Sequence, residues 1–212
     1  MTGRDCTSKS VPTQAESQYC DAIVNSSASH VLLLTGRPGV GKTTVICRVA
    51  ASLPGWRLAG FYTEEIRVAG QRQGFRAVTF DASERIMAHA DFRDPRVGKY
   101  GVDVSVIDQL ADAELNLNPE VNLYLVDEIG KMECLSQRFI AAMQELLNSG
   151  ALVLATIAQR GGGFIEKAKQ TKDAELWEVT RANRDELPER ALAWLRAARQ
   201  SARTGRENEN PH

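Results

Sequence analysis

A chain of 212 residues with 43% hydrophobic content and a formal net charge of −1 lies in the ordinary globular range and holds material for one sizeable core. Its near-neutral balance, with a pI near 6.3, lacks the basic footprint expected of a protein that binds nucleic acid or an anionic membrane. No stretch approaches the roughly 20 apolar residues needed to span a bilayer, and the polar residues 1–29 hold no apolar core for a secretory signal. Cys6, Cys20, Cys47 and Cys134 are widely spaced, with no C-x-x-C pair and no nearby histidine to complete a zinc site, so they read as reduced thiols of a cytoplasmic protein, and a monomer is expected.

The chain divides into a polar N-terminal extension at 1–29, one α/β domain at 30–200 and a polar, flexible tail at 201–212. The domain opens with the apolar run Val31 to Leu34, a strand buried on both faces. Directly after it, Gly36, Arg37, Pro38, Gly39, Val40, Gly41, Lys42 and Thr43 match G-x-x-x-x-G-K-[ST]. Glycines without Cβ atoms let successive N–H groups curl around a phosphate, Lys42 adds positive charge, and the following helix adds its dipole. The Thr43 hydroxyl is then placed to hold Mg²⁺. Val45, Ile46, Val49, Ala50 and Leu53 share one face of that helix, which Pro54 and Gly55 stop.

Gly60–Arg67 and Gln73–Phe80 read as two strands of a β-hairpin joined through Gly70, inserted in the α/β frame. Ser83–His89 predicts a further strand and Val106–Leu115 a helix. Leu123–Val126 is a second fully apolar strand, and at its tip stand Asp127 and Glu128. Facing a phosphate loop, Asp127 is the candidate to complete the magnesium site with Thr43, and Glu128 the candidate general base that aims a water at the γ-phosphorus. The alternative is an acidic pair that caps a helix. Phe139, Ile140, Met143, Leu146 and Leu147 then mark a helix from a Ser136 cap to a Gly150 stop, and Ala151–Ile157 a third apolar strand.

Gln159, Arg160 and the glycines Gly161 to Gly163 read as a flexible loop suited to a lid, with Arg160, Lys131 and Arg67 as candidate cations for the transferring phosphate. Ala174–Thr180 predicts the last strand, after which Asn183 and Arg184 are candidates to touch base or ribose, or else ordinary turn residues. A final amphipathic helix carries Leu187, Ala191, Leu192 and Leu195, with Asp185 as cap and Pro188 in its first turn. Arg196, Arg199, Arg203 and Arg206 read as its solvated basic end, and His30 and His89 as structural.

Taken together, Thr35–Thr44, Gly60–Arg67, Gly70–Phe75, Val97–Val104, Leu125–Glu133 and Val179–Pro188 resemble the cancer-related nucleoside-triphosphatase family, also described as thermophilic-type NTPases. The resemblance runs from about Val31 to Leu192 and is carried above all by the segments around Asp127–Glu133 and Gly60–Glu65. It implies a RecA-like P-loop fold, a mostly parallel sheet flanked by helices, and Mg²⁺-dependent hydrolysis of several nucleoside triphosphates to diphosphate and phosphate. Carried over residue by residue, the nucleotide site falls on Gly36–Thr43 with Thr44, on Leu123, Tyr124, Leu125, Val126, Asp127, Glu128, Ile129, Gly130 and Lys131, and catalysis on Glu128 with Lys42. Ala158 stands where the family commonly has Pro, and the triple glycine is unusual for it. Two other readings of the scaffold stay open: a nucleotide or small-molecule kinase whose hairpin forms an acceptor pocket, and a slow nucleotide-dependent switch associated with RNA.

Overall fold

The computed structural model describes residues 29–208. The polar extension before Ser29 and residues 209–212 lie outside it, as do the side chains of Arg203 and Arg206. Nine strands form one sheet: β1 Val31–Gly36, β2 Leu58–Val68, β3 Gln71–Thr79, β4 Glu84–His89, β5 Arg96–Val97, β6 Tyr100–Val102, β7 Leu123–Ile129, β8 Val153–Ala158 and β9 Glu175–Glu178. The helices are α1 Lys42–Ala51, α2 Val104–Glu114, α3 Gln137–Asn148, α4 Phe164–Lys169 and α5 Leu187–Asn208. Helix α5 thus carries on through the stretch that its composition marks as a tail.

Sheet order is β5-β6-β4-β3-β2-β7-β8-β1-β9. From β2 through β9 the pairings are parallel, and from β2 through β5 they are antiparallel. The central parallel strands β1, β7 and β8 are largely apolar because each face is covered by helices, whereas β9, Glu175–Glu178 at the sheet edge, alternates with charged residues. Leu32 and Leu34 pack with Val45, Ile46 and Val49 of α1 and Leu192 and Leu195 of α5. Val31 and Leu33 pack on the other side with Ile107 and Leu110 of α2, Phe139 and Met143 of α3, and Ile165 of α4. Successive side chains of a strand point to opposite faces, so a strand between two helical layers needs an apolar residue at every position.

The hairpin is more than an insertion. Leu58–Phe61, the first part of β2, pairs in parallel with Leu123–Val126 of β7, and from Phe61 onward β2 pairs with β3. One long strand therefore welds the antiparallel half to the parallel one. The approach is closest at Gly60, where a Cβ would lie 2.0 Å from the Leu125 carbonyl oxygen. Ala69 and Gly70 close the hairpin, both with positive φ (48° and 78°), as a two-residue turn between right-twisted strands requires. Ser136 caps α3 as its sequence implies, accepting from the Phe139 N–H at 2.9 Å.

Candidate active site

In an open parallel sheet, loops that follow the carboxyl ends of the strands share one edge, and ligands bind there. Strand β8 lies between β1 and β7, so the loop after β1 and the acids at the end of β7 meet across a single strand. Gly36 ends β1 with φ of 150°, and a Cβ on it would lie 2.5 Å from the Val179 carbonyl oxygen; only glycine fits there. Gly41 precedes α1 in a left-handed conformation, so the loop turns directly into the helix that begins at Lys42.

Asp127 is almost fully buried, with its carboxylate wrapped by hydroxyls. Thr43 Oγ1 donates to Asp127 Oδ2 at 2.7 Å, and Thr156 Oγ1 donates to Oδ1 at 2.5 Å. Thr63 adds its hydroxyl at 3.2 Å and its N–H at 3.4 Å, both to Oδ2. A buried carboxylate needs such donors, since leaving it bare would cost several kcal/mol, on the order of a full desolvation penalty. The set Thr43, Asp127 and Thr63 is all hard oxygen, which fits Mg²⁺ with its remaining positions taken by water and phosphate. Among the described residues no group of three His, Cys, Asp or Glu forms a dedicated metal cage.

Neighbouring strand residues normally face opposite ways, yet Asp127 and Glu128 both serve this edge. Between β7 and β8 the register runs Val126 to Ala155 and then Ile129 to Ile157, so β7 carries one extra residue where the two acids stand. A bulge of this kind re-aims side chains. Glu128 Oε2 lies 3.2 Å from Lys42 Nζ, which also donates to the Gly36 carbonyl at 3.3 Å. Burial raises the Glu128 carboxyl above its ordinary value, the Lys42 ammonium pulls it down, and Asp127 pushes it up again, with a net rise. Glu133 goes further: it is 5% exposed, and burial pushes its carboxyl to about 8.

The residues marked out by the sequence divide once placed. Gly36, Pro38, Lys42, Glu128, Gly130, Lys131 and Arg160 line a cavity of about 490 Å³, and Arg37, Pro38, Gly39 and Val40 line another of about 550 Å³ with Glu178–Arg181. Arg184 lies over the loop, its Nη1 donating to the Val40 carbonyl at 3.4 Å. Thr44 stands in the first turn of α1, exposed. By contrast, Leu123, Tyr124, Leu125, Val126 and Ile129 are core residues, and the Tyr124 hydroxyl donates to the Asn116 carbonyl at 2.8 Å; they build the strand and bring no polar group to the cavity. Asn183 folds inward, accepting from the Thr180 N–H at 2.8 Å and donating to the Glu178 carbonyl at 2.9 Å, which makes it a turn residue. Arg67 is held at the hairpin end by Glu65 and the Gly70 carbonyl, away from the loop. The triple glycine forms a short loop whose last residue, Gly163, opens α4, and that helix is anchored by buried Phe164, Ile165 and Ala168. His89 Nδ1 accepts from the Asp91 N–H at 3.2 Å, a local turn contact.

Thr63, Thr156 and Glu133 escaped the sequence reading. Thr63 sits within the Gly60–Arg67 segment and Glu133 within Leu125–Glu133, so both carried a signal of position without a signal of role. Thr156 lies in an apolar strand, where a buried hydroxyl announces an unmet partner.

A glycine loop opening into a helix, facing an acid at the tip of the strand one removed in an α/β sheet, is the arrangement of P-loop nucleotide-binding proteins. A profile of the NTPase family matches residues 31–192, and the chain belongs to that family. It is 41% identical over 167 residues to nucleoside-triphosphatase THEP1 of Thermotoga petrophila, covering 78% of this chain and 92% of the relative. With the human cancer-related nucleoside-triphosphatase it shares 38% over 177 residues, 76% of this chain and 93% of the relative. The crystal structure of THEP1 from the hyperthermophile Aquifex aeolicus superposes with a TM-score of 0.71 at 33% identity, covering 77% of this chain and 98% of that one.

Proposed function

We propose that the protein is a nucleoside-triphosphatase that hydrolyses nucleoside 5′-triphosphates to the diphosphate and phosphate with Mg²⁺ and with little regard for the base. The observation that carries this reading is the double pairing across the loop: Thr43 with Asp127 at 2.7 Å and Lys42 with Glu128 at 3.2 Å. The names of the relatives, nucleoside-triphosphatases throughout, point the same way.

Backbone N–H groups of Gly39–Thr43 and the start of α1 hold the phosphates, and Lys42 faces the terminal one. Thr43 and Asp127 would hold Mg²⁺, which supplies charge neutralisation at the β- and γ-phosphates. An arriving phosphate competes with Glu128 for the Lys42 ammonium and so frees the Glu128 carboxylate. Glu128 then accepts a hydrogen bond from a water and takes its proton as the water oxygen bonds to the γ-phosphorus, the bond to the bridging oxygen breaks, and the diphosphate leaves with the electron pair. Phosphoryl transfer asks little covalent chemistry of the protein, so positioning and charge carry the rate. Tolerance of the base is supported by Asn183, whose amide is occupied within its own turn.

No helix among the described residues is long and apolar enough to cross a membrane. The near-neutral charge supports a protein without a nucleic-acid partner, and work as a cytoplasmic monomer belongs to the same proposal. The reading is tested by phosphate release from ATP, GTP, CTP and UTP with Mg²⁺ or with a chelator in its place. Release from several of them, lost on chelation, is expected; no release from any, or release indifferent to chelation, overturns it.

A further inference from the structure

The two cavities lie on different sides of the phosphate loop and differ in what they are made of. The one against Arg37–Val40 and Glu178–Arg181 lies on the loop's Arg184 side, the side proposed for base and ribose. The other begins at Lys42 and Glu128 and runs away from the loop to Phe75, Met87, Val97 and Met132. A γ-phosphate and a water occupy its Lys42 end alone. At about 490 Å³ the whole is in the range of small-molecule sites, and its far part is walled mainly by apolar side chains. Phe75 is a rigid wall, held edge-on by Tyr100 at 5.2 Å between ring centroids and by the Arg72 guanidinium at 5.4 Å. The buried Glu133 carboxyl borders the same space.

We propose that this outer lobe is an acceptor subsite for an uncharged, nucleoside-sized heterocyclic alcohol, and that the protein transfers the γ-phosphoryl group to its hydroxyl as well as to water. The proposal rests on the reading of the Lys42 and Glu128 end as the γ-phosphate position. The lining's charges set the acceptor's charge: Lys42, Lys131 and Arg160 stand against Glu128, and the excess positive charge is matched by the γ-phosphate, leaving none for a second phosphate. Glu133, largely protonated at pH 7 and accepting from the backbone N–H groups of Gly130 and Glu133, has a hydroxyl to donate to a ring edge, and among the described residues no cation pairs with it. In the transfer the acceptor oxygen bonds to the γ-phosphorus as the bond to the bridging oxygen breaks; the nucleoside diphosphate leaves with the electron pair, and the acceptor proton passes to the Glu128 carboxylate. No other reactant is needed.

The test incubates the full chain with ATP and Mg²⁺, alone and with adenosine, guanosine, cytidine, uridine or thymidine, and follows inorganic phosphate and nucleoside monophosphate separately by phosphorus NMR. At least one nucleoside is expected to yield its monophosphate while inorganic phosphate falls about twofold or more. Phe75→Leu keeps the apolar wall and removes the ring, so transfer should drop about tenfold with hydrolysis in the absence of nucleoside within about twofold of wild type. No monophosphate from any nucleoside, an equal loss of both activities in Phe75→Leu, or transfer confined to acceptors that already carry a phosphate would each overturn the proposal. Hydrolysis is read separately from the nucleoside-free sample: transfer without it removes water as the acceptor and leaves the subsite standing.

Discussion

In the parallel half of the sheet, Leu33, Leu125 and Leu154 have no exposed surface. In the antiparallel half, Glu64, Arg76 and Glu84 form a charged ladder across β2, β3 and β4, with side chains 39–51% exposed. The first half holds its strands from both faces and can fix a carboxylate such as Asp127 to within hydrogen-bonding tolerance of Thr43. The second is buried on one face, where Ala77, Met87, Ala88 and Val102 join the core with Ile107 and Leu110 of α2, carries charged pairs on its exposed positions, and supplies walls, Phe75 and Met87 among them, to the cavity that begins at Lys42 and Glu128. Chemistry that depends on position sits where packing is tightest, and the choice of what enters sits where the frame tolerates change.

That contrast is broken most severely at Lys42. Lys42→Ala leaves phosphate charge uncompensated, so turnover should fall below detection, on the order of 10³-fold or more, with weakened nucleotide affinity by titration calorimetry. Turnover within tenfold of wild type would contradict it. Glu133 probes the join between the halves through stability. Its folded carboxyl sits at about 8 against an ordinary 4.5, with Glu128 and Asp127 facing it, so the folded state binds the proton more tightly than the unfolded chain. Its contribution is therefore complete below pH 4.5 and is lost as pH rises through about 8, on the order of 5 kcal/mol in urea unfolding. Glu133→Gln, neutral throughout, should flatten much of that decline; an unchanged slope would remove Glu133 as its source.

Smaller effects follow outward. Thr63→Val removes a hydroxyl that orients Asp127, and the Mg²⁺ concentration for half-maximal rate should rise about 10- to 100-fold with little change in melting temperature. Arg76→Ala, on the exposed ladder, should cost no more than about 1 kcal/mol and leave phosphate release intact. A larger loss there would mean that the ladder carries more of the stability than exposed ion pairs do.

What the sequence disclosed was what is local. The loop from Gly36 to Thr43 needs only its own spacing to be read, and Asp127 and Glu128 are announced by the apolar strand before them. The fully apolar runs imply two covering layers, which α1 and α5 on one face and α2, α3 and α4 on the other supply. What stayed hidden depends on distant partners. The parallel pairing of Leu58–Phe61 with β7 leaves no mark in the alternation of the hairpin, and the extra residue in β7 is visible only against β8. Helix α4 is too short for a helical period, and the glycine loop directly before it gives its start no signal. Thr63 and Thr156 acquire meaning only when Asp127 is brought between them.

The account turns on Glu128 acting on the water and not on the nucleotide. The most direct measurement pairs single-turnover phosphate release with equilibrium binding of Mg²⁺-nucleotide to Glu128→Gln. Binding within about threefold of wild type, together with a rate lowered about 10²- to 10⁴-fold, is the predicted result. Undiminished release, or a loss of affinity as large as the loss of rate, would contradict it.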